Sequence, residues 1–334
     1  MTRRVTHEAP SLVASWPYCA ALRNRSTTGP AWKGPHEWVG ALIRLTIAGR
    51  FGNQLVQYAA VRAQAKRLGV DLEIDTLFCS HGATGDSFSF WLDTLPIKAR
   101  VISYPASGPY SAHGLLQKSY RKIARPLFWN HYAQPMWETD SRFFAIRPRT
   151  VVSGYFQSLF YLLPRDDEVL AELSLWSVAT AEIKQCAQLI ARQTSVSVHV
   201  RRGDAVWRQG ESDTLPVWQS SHLAYFEAAM DLMRAKIANP TFLIFSDDIE
   251  WCKHAGIFGK DCEFIATDRF GDNPAIDLLL MSNCRHHIMT NSTYSWWAAW
   301  ATLDDDKICI LPKQWTPRHG TAELDLVYRN WITL

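Results

Sequence analysis

Strands and helices alternate along the second half of this chain, and that alternation is the strongest constraint on its fold. Short apolar runs rich in β-branched and aromatic residues stand at 195–200, 241–245, 262–267, 286–290 and 307–311. Between them, apolar spacing predicts helices over about 221–238, 247–256, 274–284 and 292–302. The third of these opens with Asn273-Pro274, an N-cap and first-turn pair. Strands alternating with helices predict a parallel sheet covered on both faces. Such sheets bind ligands in the crevice at the carboxyl ends of their strands.

The first half starts the same way. Residues 41–47 read as a strand, followed by the loop Gly49-Arg50-Phe51-Gly52-Asn53 and a helical pattern over 54–68. Asn53 suits its N-cap and Gly69 its stop. Residues 71–75 alternate as the next strand, completing a unit of βαβ size. From about 80 to 150 the periods are weak and aromatics and prolines are frequent, as in segments that line a groove and as often in plain loops. Residues 1–37 are rich in Pro, Ser, Thr, Arg and Gly and read as a loosely ordered extension, or as an over-long start.

With 334 residues the chain has the length of two domains at roughly 150 residues each. The expected division is an extension at 1–37, one lobe at 38–190 and a second at 191–334. Up to Leu189 there are 21 Lys/Arg against 14 Asp/Glu, and beyond it 14 against 18. One half is therefore mildly basic and the other mildly acidic, as two lobes with different tasks would be. The overall charge of +3 advertises neither a nucleic-acid nor a membrane partner. No apolar stretch is long enough to span a bilayer, because 39–56 is interrupted by Arg44 and Arg50. Met1-Thr2-Arg3-Arg4 is followed by Glu8, Pro10 and Pro17, a poor leader. Seven scattered cysteines without a C-x-x-C pair suit a reducing compartment. The expected location is the cytoplasm, at most peripheral to the inner membrane face.

The residues just beyond each strand concentrate chemistry at one edge. After Val200 come Arg201-Arg202-Gly203-Asp204, and after Phe245 come Ser246-Asp247-Asp248. Asp268 and Arg269 succeed Thr267, and Asn291-Ser292-Thr293 succeed Thr290. Two arginines supply permanent charge and forked donors matched to phosphate oxygens. Asn291, Ser292 and Thr293 open a helix, whose free N–H groups favour an anion. Strand-end carboxylates accept from ribose hydroxyls or a base's amino edge. Together these groups would hold a nucleoside diphosphate without a metal. The plainer alternatives are that Ser246, Asp247 and Asn291-Ser292-Thr293 are helix caps, the last also matching a glycosylation sequon. For the arginine pair they are weaker, because two guanidiniums behind an apolar strand are costly unless paired.

A metal site is disfavoured. His286 and His287 are adjacent and face opposite sides of a strand. His199 suits an orienting hydrogen bond better than ligation, and the Asp247-Asp248-x-Glu250 carboxylates are spaced like a cap. The Gly49-x-x-Gly52 loop lacks the G-x-G-x-x-G dinucleotide fingerprint. There Gly52 permits close backbone approach, and Asn53 and Gln54 can cap the helix or bind hydroxyls. Of the 15 tryptophans, Trp296 and Trp300 share one helix face, where core packing is the default.

These residues carry a resemblance. Gly49-Arg50-Phe51-Gly52-Asn53-Gln54-Leu55-Val56-Gln57-Tyr58-Ala59 resembles the G-G-L-G-N-Q-M-F-Q-Y-A signature of glycosyltransferase family 11, the bacterial and animal α-1,2-fucosyltransferases. His199-Val200-Arg201-Arg202-Gly203-Asp204 is similar to its H-x-R-R-G-D-Y motif, and the run from Phe245 to Cys252 to its F-S-D-D-x-x-W-C motif. Cys284-Arg285-His286-His287-Ile288 with Asn291-Ser292-Thr293-Tyr294-Ser295-Trp296-Trp297 resembles a further block, and Gly154-Tyr155-Phe156-Gln157-Ser158 a fifth. Arg50-Phe51 stands where Gly-Leu is usual, and Ala205 replaces the usual Tyr.

The resemblance implies an α/β fold of GT-B type: two Rossmann-like lobes with parallel sheets facing a central cleft. It implies inverting transfer of L-fucose from GDP-β-L-fucose to the 2-hydroxyl of a galactoside. Arg201 would neutralise the departing diphosphate, and Asp204, then Glu211 or Asp213, is the candidate base. His199, Arg202, Ser246, Asp247, Asp248, Asn291, Ser292, Thr293, Ser295 and Trp296 would surround the donor. Gly52, Asn53 and Gln54 would face the cleft from the acceptor side. No cofactor or metal is expected, and the acceptor would be a galactose-containing oligosaccharide or glycolipid of an O-antigen or capsule. The competing readings are a transferase for another GDP-sugar or acceptor, and a catalytically silent nucleotide-sugar-binding protein.

Overall fold

The computed structural model describes residues 41–80, 89–103, 129–202, 215–267, 270–302 and 306–334. Among the described residues, eleven strands form two sheets, and every strand pair within them is parallel. The first sheet contains β1 (Leu42–Thr46), β2 (Asp71–Asp75), β3 (Arg100–Ile102), β4 (Asn130–Ala133) and β5 (Thr150–Ser153), in the order β3-β2-β1-β5-β4. The second contains β6 (Ser195–Val200), β7 (Thr241–Ser246), β8 (Cys262–Phe264), β9 (His286–Ile288), β10 (Cys309–Leu311) and β11 (Ile332–Thr333), in the order β11-β10-β9-β6-β7-β8. The described helices are α1 (Phe51–Arg67), α2 (Leu77–Ser80), α3 (Leu159–Leu162), α4 (Asp167–Glu172), α5 (Ala181–Ala191), α6 (Leu215–Lys236), α7 (Ile249–His254), α8 (Pro274–Ser282) and α9 (Thr293–Ala301), with short 3-10 turns besides.

The sequence places β2 and β6 at their observed bounds and the other second-half strands within a few residues. It misses β3, β4, β5 and β11. β4 is Asn-His-Tyr-Ala, with no apolar alternation to betray it, and all four are only two to four residues long. Helix α1 starts at Phe51, and its N-cap is Arg50 without a side-chain bond, so Asn53 is not the cap expected. Gly69 does end the helix, at φ +65°, where glycine carries no Cβ penalty.

Charges in the first sheet are matched in register. Arg44 stands opposite Glu73, and Glu73 opposite Arg100. Glu73 is buried and ion-paired with both, so its charge is neutralised where water cannot reach it.

Two clusters make the core. The smaller lies under one face of the second sheet, where Val196, Val198 and Val200 of β6 meet Phe226 and Met230 of α6. The larger runs from the first sheet through α1 into α8 and α9, and reaches Leu243 and Phe245 on the other face of the second sheet. Helix α1 is buried nearly all round because it packs against α9 as well as its own sheet. The parallel sheets are thus joined through a shared apolar layer, in keeping with the α/β expectation. Residues 1–37, 81–88 and 104–128 lie outside the described residues.

Candidate active site

In the first sheet, β1 sits between β2 and β5. In the second, β6 sits between β7 and β9. At each centre the chain leaves in opposite directions, so the loops part and open a crevice, the usual ligand position in such sheets. The two crevices open into one cleft of about 940 Å3. One wall carries Gly49–Asn53 after β1, with Tyr155 and Gln157 after β5; the other carries His199 near the end of β6, Arg201 just after it, and Asn291–Tyr294 after β9.

Across the floor, the N-termini of α1 and α9 abut. A Cβ on Gly52 would lie 2.5 Å from the Tyr294 backbone nitrogen, so only glycine allows this approach. Asn53 closes the seam: its Oδ1 accepts from the Thr293 hydroxyl at 2.8 Å and from Gln157 Nε2 at 2.9 Å. Gln157 Oε1 in turn accepts from Trp315 Nε1 at 3.3 Å. The Ser292 hydroxyl accepts from the Tyr294 N–H at 3.3 Å, so it is the cap of α9. The N–H groups of that first turn, which have no partner within the helix, and the helix dipole put positive potential at the cleft.

The two arginines diverge, as adjacent residues of an extended chain must. Arg201 lines the cleft. Arg202 turns away, pairing with the Asp248 carboxylate and stacking over Trp251 at 4.3 Å, while its N–H bonds Asp247 Oδ1 at 2.8 Å. Asp248 also caps α7, accepting from the Trp251 N–H at 3.0 Å, and Ser246 Oγ accepts from the Asp248 N–H at 3.0 Å. The cap of that helix is therefore Asp248, and Ser246 and Asp247 line the cleft.

His199 ends a polar stripe on the second sheet. Ser197 pairs in register with His287, and Ser197 Oγ lies 2.8 Å from His287 Nδ1. His199 lines the cleft against Tyr294, ring centroids 5.5 Å apart, and its Nδ1 is buried without a hydrogen-bond partner. Burial holds its imidazole neutral, with the pKa down at about 4 despite the opposing pull of Asp247. His287 is depressed too, by burial first and then by Lys307 and His286.

Of the expected cleft residues, Arg201, His199, Ser246, Asp247, Asn291, Ser292, Thr293, Gly52 and Asn53 line this space. Five do not. Gln54 is 0% exposed and serves as a buried brace: its Nε2 donates to the carbonyls of Gly49 and Ser89, and its Oε1 accepts from the Trp91 N–H. Trp296 is 1% exposed, stacked on Trp300 and bonded through Nε1 to the Leu326 carbonyl. Ser295 is buried against the Ser292 carbonyl. Arg202 and Asp248 are spent on each other. Helical geometry explains why Ser295 and Trp296 fall outside the lining, because only the first turn of α9 points at the cleft. Asp204, Glu211, Asp213, Asp268 and Arg269 lie outside the described residues.

The structure adds residues that the strand-end rule missed. Gly271, Asp272, Asn273, Pro274 and Asp277 bring the N-terminus of α8 to the cleft, and Trp315 and Thr316 come from the chain after β10. Extending the rule past β8 and β10 would have found both groups. Trp91 and Trp137 also line it, but Trp137 lies beyond the cryptic strand β4. Among the described residues, no group of three or more His, Cys, Asp or Glu is placed to hold a metal, and no helix is long and apolar enough to cross a membrane.

Comparison with known proteins gives a consistent neighbourhood. The family model described as "Glycosyl transferase family 11" matches residues 31–334. An α-1,2-colitosyltransferase from Escherichia coli is 26% identical over 309 residues, covering 88% of this chain and 99% of that protein. Galactoside 2-α-L-fucosyltransferase Sec1 from Mus musculus is 26% identical over 79% of this chain and 65% of its own length. Among solved structures, the fucosyltransferase NodZ from Bradyrhizobium superposes with a TM-score of 0.43 and 17% identity, over 77% of this chain and 91% of that one.

Proposed function

Since this chain belongs to glycosyl transferase family 11, we propose that it transfers L-fucose from GDP-β-L-fucose to the 2-hydroxyl of a galactoside, inverting the anomeric centre to an α-1,2 linkage. In this reading residues 38–190 are the acceptor-side lobe and 191–334 the donor lobe. The observation that carries it is the meeting of Arg201 and the α9 N-terminus at Ser292-Thr293 in one cleft. A guanidinium and a helix N-terminus together form an anion site suited to a diphosphate.

The acceptor oxygen attacks the sugar's anomeric carbon while the bond to the β-phosphate oxygen breaks, and GDP leaves with the electron pair. The growing negative charge on GDP is the chief obstacle. Donors already fixed in place lower it without reorganising. The acceptor proton passes to a carboxylate, with Asp204 the first candidate and Glu211 or Asp213 the next. Neutral His199 is a donor or acceptor of hydrogen bonds beside the diphosphate rather than a second cation. Arg201 supplies the positive charge, so the reaction needs no metal and no cofactor. The acceptor is expected in a surface polysaccharide such as an O-antigen.

The experiment is incubation of the protein with GDP-fucose or GDP-mannose and a panel of galactose-terminated oligosaccharides, with the linkage read by NMR. An α-1,2-fucosyl product is expected. GDP binding without transfer would favour a silent nucleotide-sugar-binding protein. The name of the E. coli relative makes colitose the second reading for the transferred sugar, and a colitose donor belongs in the same panel.

A further inference from the structure

We propose that a second hollow beside the cleft is the subsite for the acceptor's next sugar ring, a neutral pyranose, with Trp137 as its platform. The inference rests on the glycosyl-transfer reading above. The hollow measures about 350 Å3 and lies past the carboxyl ends of β4 and β5. That is within the roughly 300–1,000 Å3 of small-ligand sites. Trp137, Tyr155 and Gln157 line both it and the main cleft, so the two spaces adjoin. An acceptor whose terminal ring sits in the cleft has its next ring directed here, on the side of the first sheet and away from Arg201.

Charge selects the occupant. Among the described residues, the hollow's charged lining is Glu138 and Glu323, with no Lys, Arg or His. The main cleft, by contrast, sets Arg50 and Arg201 beside Asp247, Asp272 and Asp277. A phosphate or a uronic acid would meet only like charge. Carboxylates and the amide of Gln157 suit the hydroxyls of a neutral sugar, with the carboxylates accepting hydrogen bonds from them.

Trp137 is held ready. It is 36% exposed, and the adjacent Met136 60%, so both present apolar surface to the open hollow. The Trp137 backbone has φ +66°, a costly conformation for a bulky residue that persists only where the surroundings impose it. Gln134 imposes it: its Oε1 accepts from the N–H groups of Tyr155 and Phe156 at 3.0 and 2.9 Å, and its Nε2 donates to the Glu138 carbonyl at 3.0 Å. Gly154 leaves room for that brace, because a Cβ there would lie 2.5 Å from Gln134 Cβ. The indole also stacks on His319, with centroids 5.7 Å apart and planes at 26°, and His319 is anchored to Thr316 at 3.0 Å. A fixed indole with remaining open surface matches the apolar C–H face of a pyranose, which loses little entropy on stacking there.

The test is saturation-transfer NMR on the full-length protein with GDP present, using methyl β-D-galactoside, N-acetyllactosamine and a galactosyl-glucuronate disaccharide as probes. In the wild type, saturation is expected on both rings of N-acetyllactosamine, and on the glucuronate disaccharide weakly or not at all. Trp137→Ala should lose saturation of the second ring and bind N-acetyllactosamine roughly tenfold more weakly. Glu323→Lys should bind the glucuronate disaccharide more tightly. Thermal melts show whether each variant is folded, and the two substitutions are independent. Saturation confined to the galactose ring, none at all, or an unchanged pattern in Trp137→Ala overturns the subsite. These are binding readouts, so failure of fucosyl transfer is read separately from GDP-fucose turnover on methyl β-D-galactoside.

Discussion

The hydroxyl of Thr293 donates to Asn53 Oδ1 at 2.8 Å, joining the first turn of α9, which follows β9 of one sheet, to the first turn of α1, which follows β1 of the other. The residues are 240 positions apart, yet beside them Gly52 touches the backbone of Tyr294. The floor of the cleft is thus a backbone contact locked by one side-chain bond.

Gly52→Ala is therefore expected to pry the two helix ends apart. The new methyl meets backbone rather than a flexible side chain, so the cost is that of overpacking, about 1–3 kcal/mol. Denaturant melts should show the loss, with transfer activity falling alongside it. Asn53→Ala, which removes two hydrogen bonds without a clash, should destabilise by about 1–2 kcal/mol. A Gly52→Ala protein as stable as the wild type would mean that the abutting helices are not rigidly packed.

Arg201→Ala should be nearly inactive, losing about 10²–10³ in rate with the fold intact, as when one preorganised donor is removed. Steady-state kinetics with GDP-fucose measure it. Turnover above about a tenth of wild type would remove Arg201 from the leaving-group role. Arg202→Ala should instead act mainly on stability, because Arg202 is occupied with Asp248 and Trp251.

Stability should fall on acidification from about pH 6.5 to pH 4. The folded state keeps His199 neutral down to about 4, whereas the unfolded chain takes up its proton near 6.5. The unfolded state thus binds more protons across that window, and lower pH favours it, by roughly 3 kcal/mol at 1.36 kcal/mol per unit. His199→Gln should flatten the dependence of melting temperature on pH over this range. An identical slope in the variant would refute the assignment.

Activity should survive excess EDTA, because a guanidinium and backbone dipoles carry the charge that a divalent ion would otherwise offset. Assay after chelation and gel filtration measures it. A strict need for Mg2+ or Mn2+ restored by add-back would contradict the arginine-based scheme.

Much of this site was legible in the chain because its chemistry lies just beyond recognisable strands. β6 and β7 are apolar enough to be recognised, β9 is readable through the longer run at 286–290, and the residues after each are fixed by covalent order. Arg201, Ser246, Asp247 and Asn291–Thr293 could therefore be placed at one edge without coordinates. β4 could not be seen, since a short polar strand leaves no period, and Trp137 was hidden with it. The strand-end rule alone could not tell which of two adjacent arginines faces the cleft; the resemblance singled out Arg201, and the structure shows Asp248 and Trp251 close enough to take Arg202.

What the linear order of residues determined alone is the class of fold and the edge where the chemistry gathers, since alternation and strand ends are local properties. The tertiary structure decided which side chains reach the cleft and which brace its walls. Gln54 and Trp296 look as available as their neighbours in the motif, but burial against a distant sheet or helix commits their polar atoms to the interior. Such commitments arise from contacts between segments far apart in the chain, where desolvation demands a partner for every polar group, and no stretch of sequence contains both halves of such a contact.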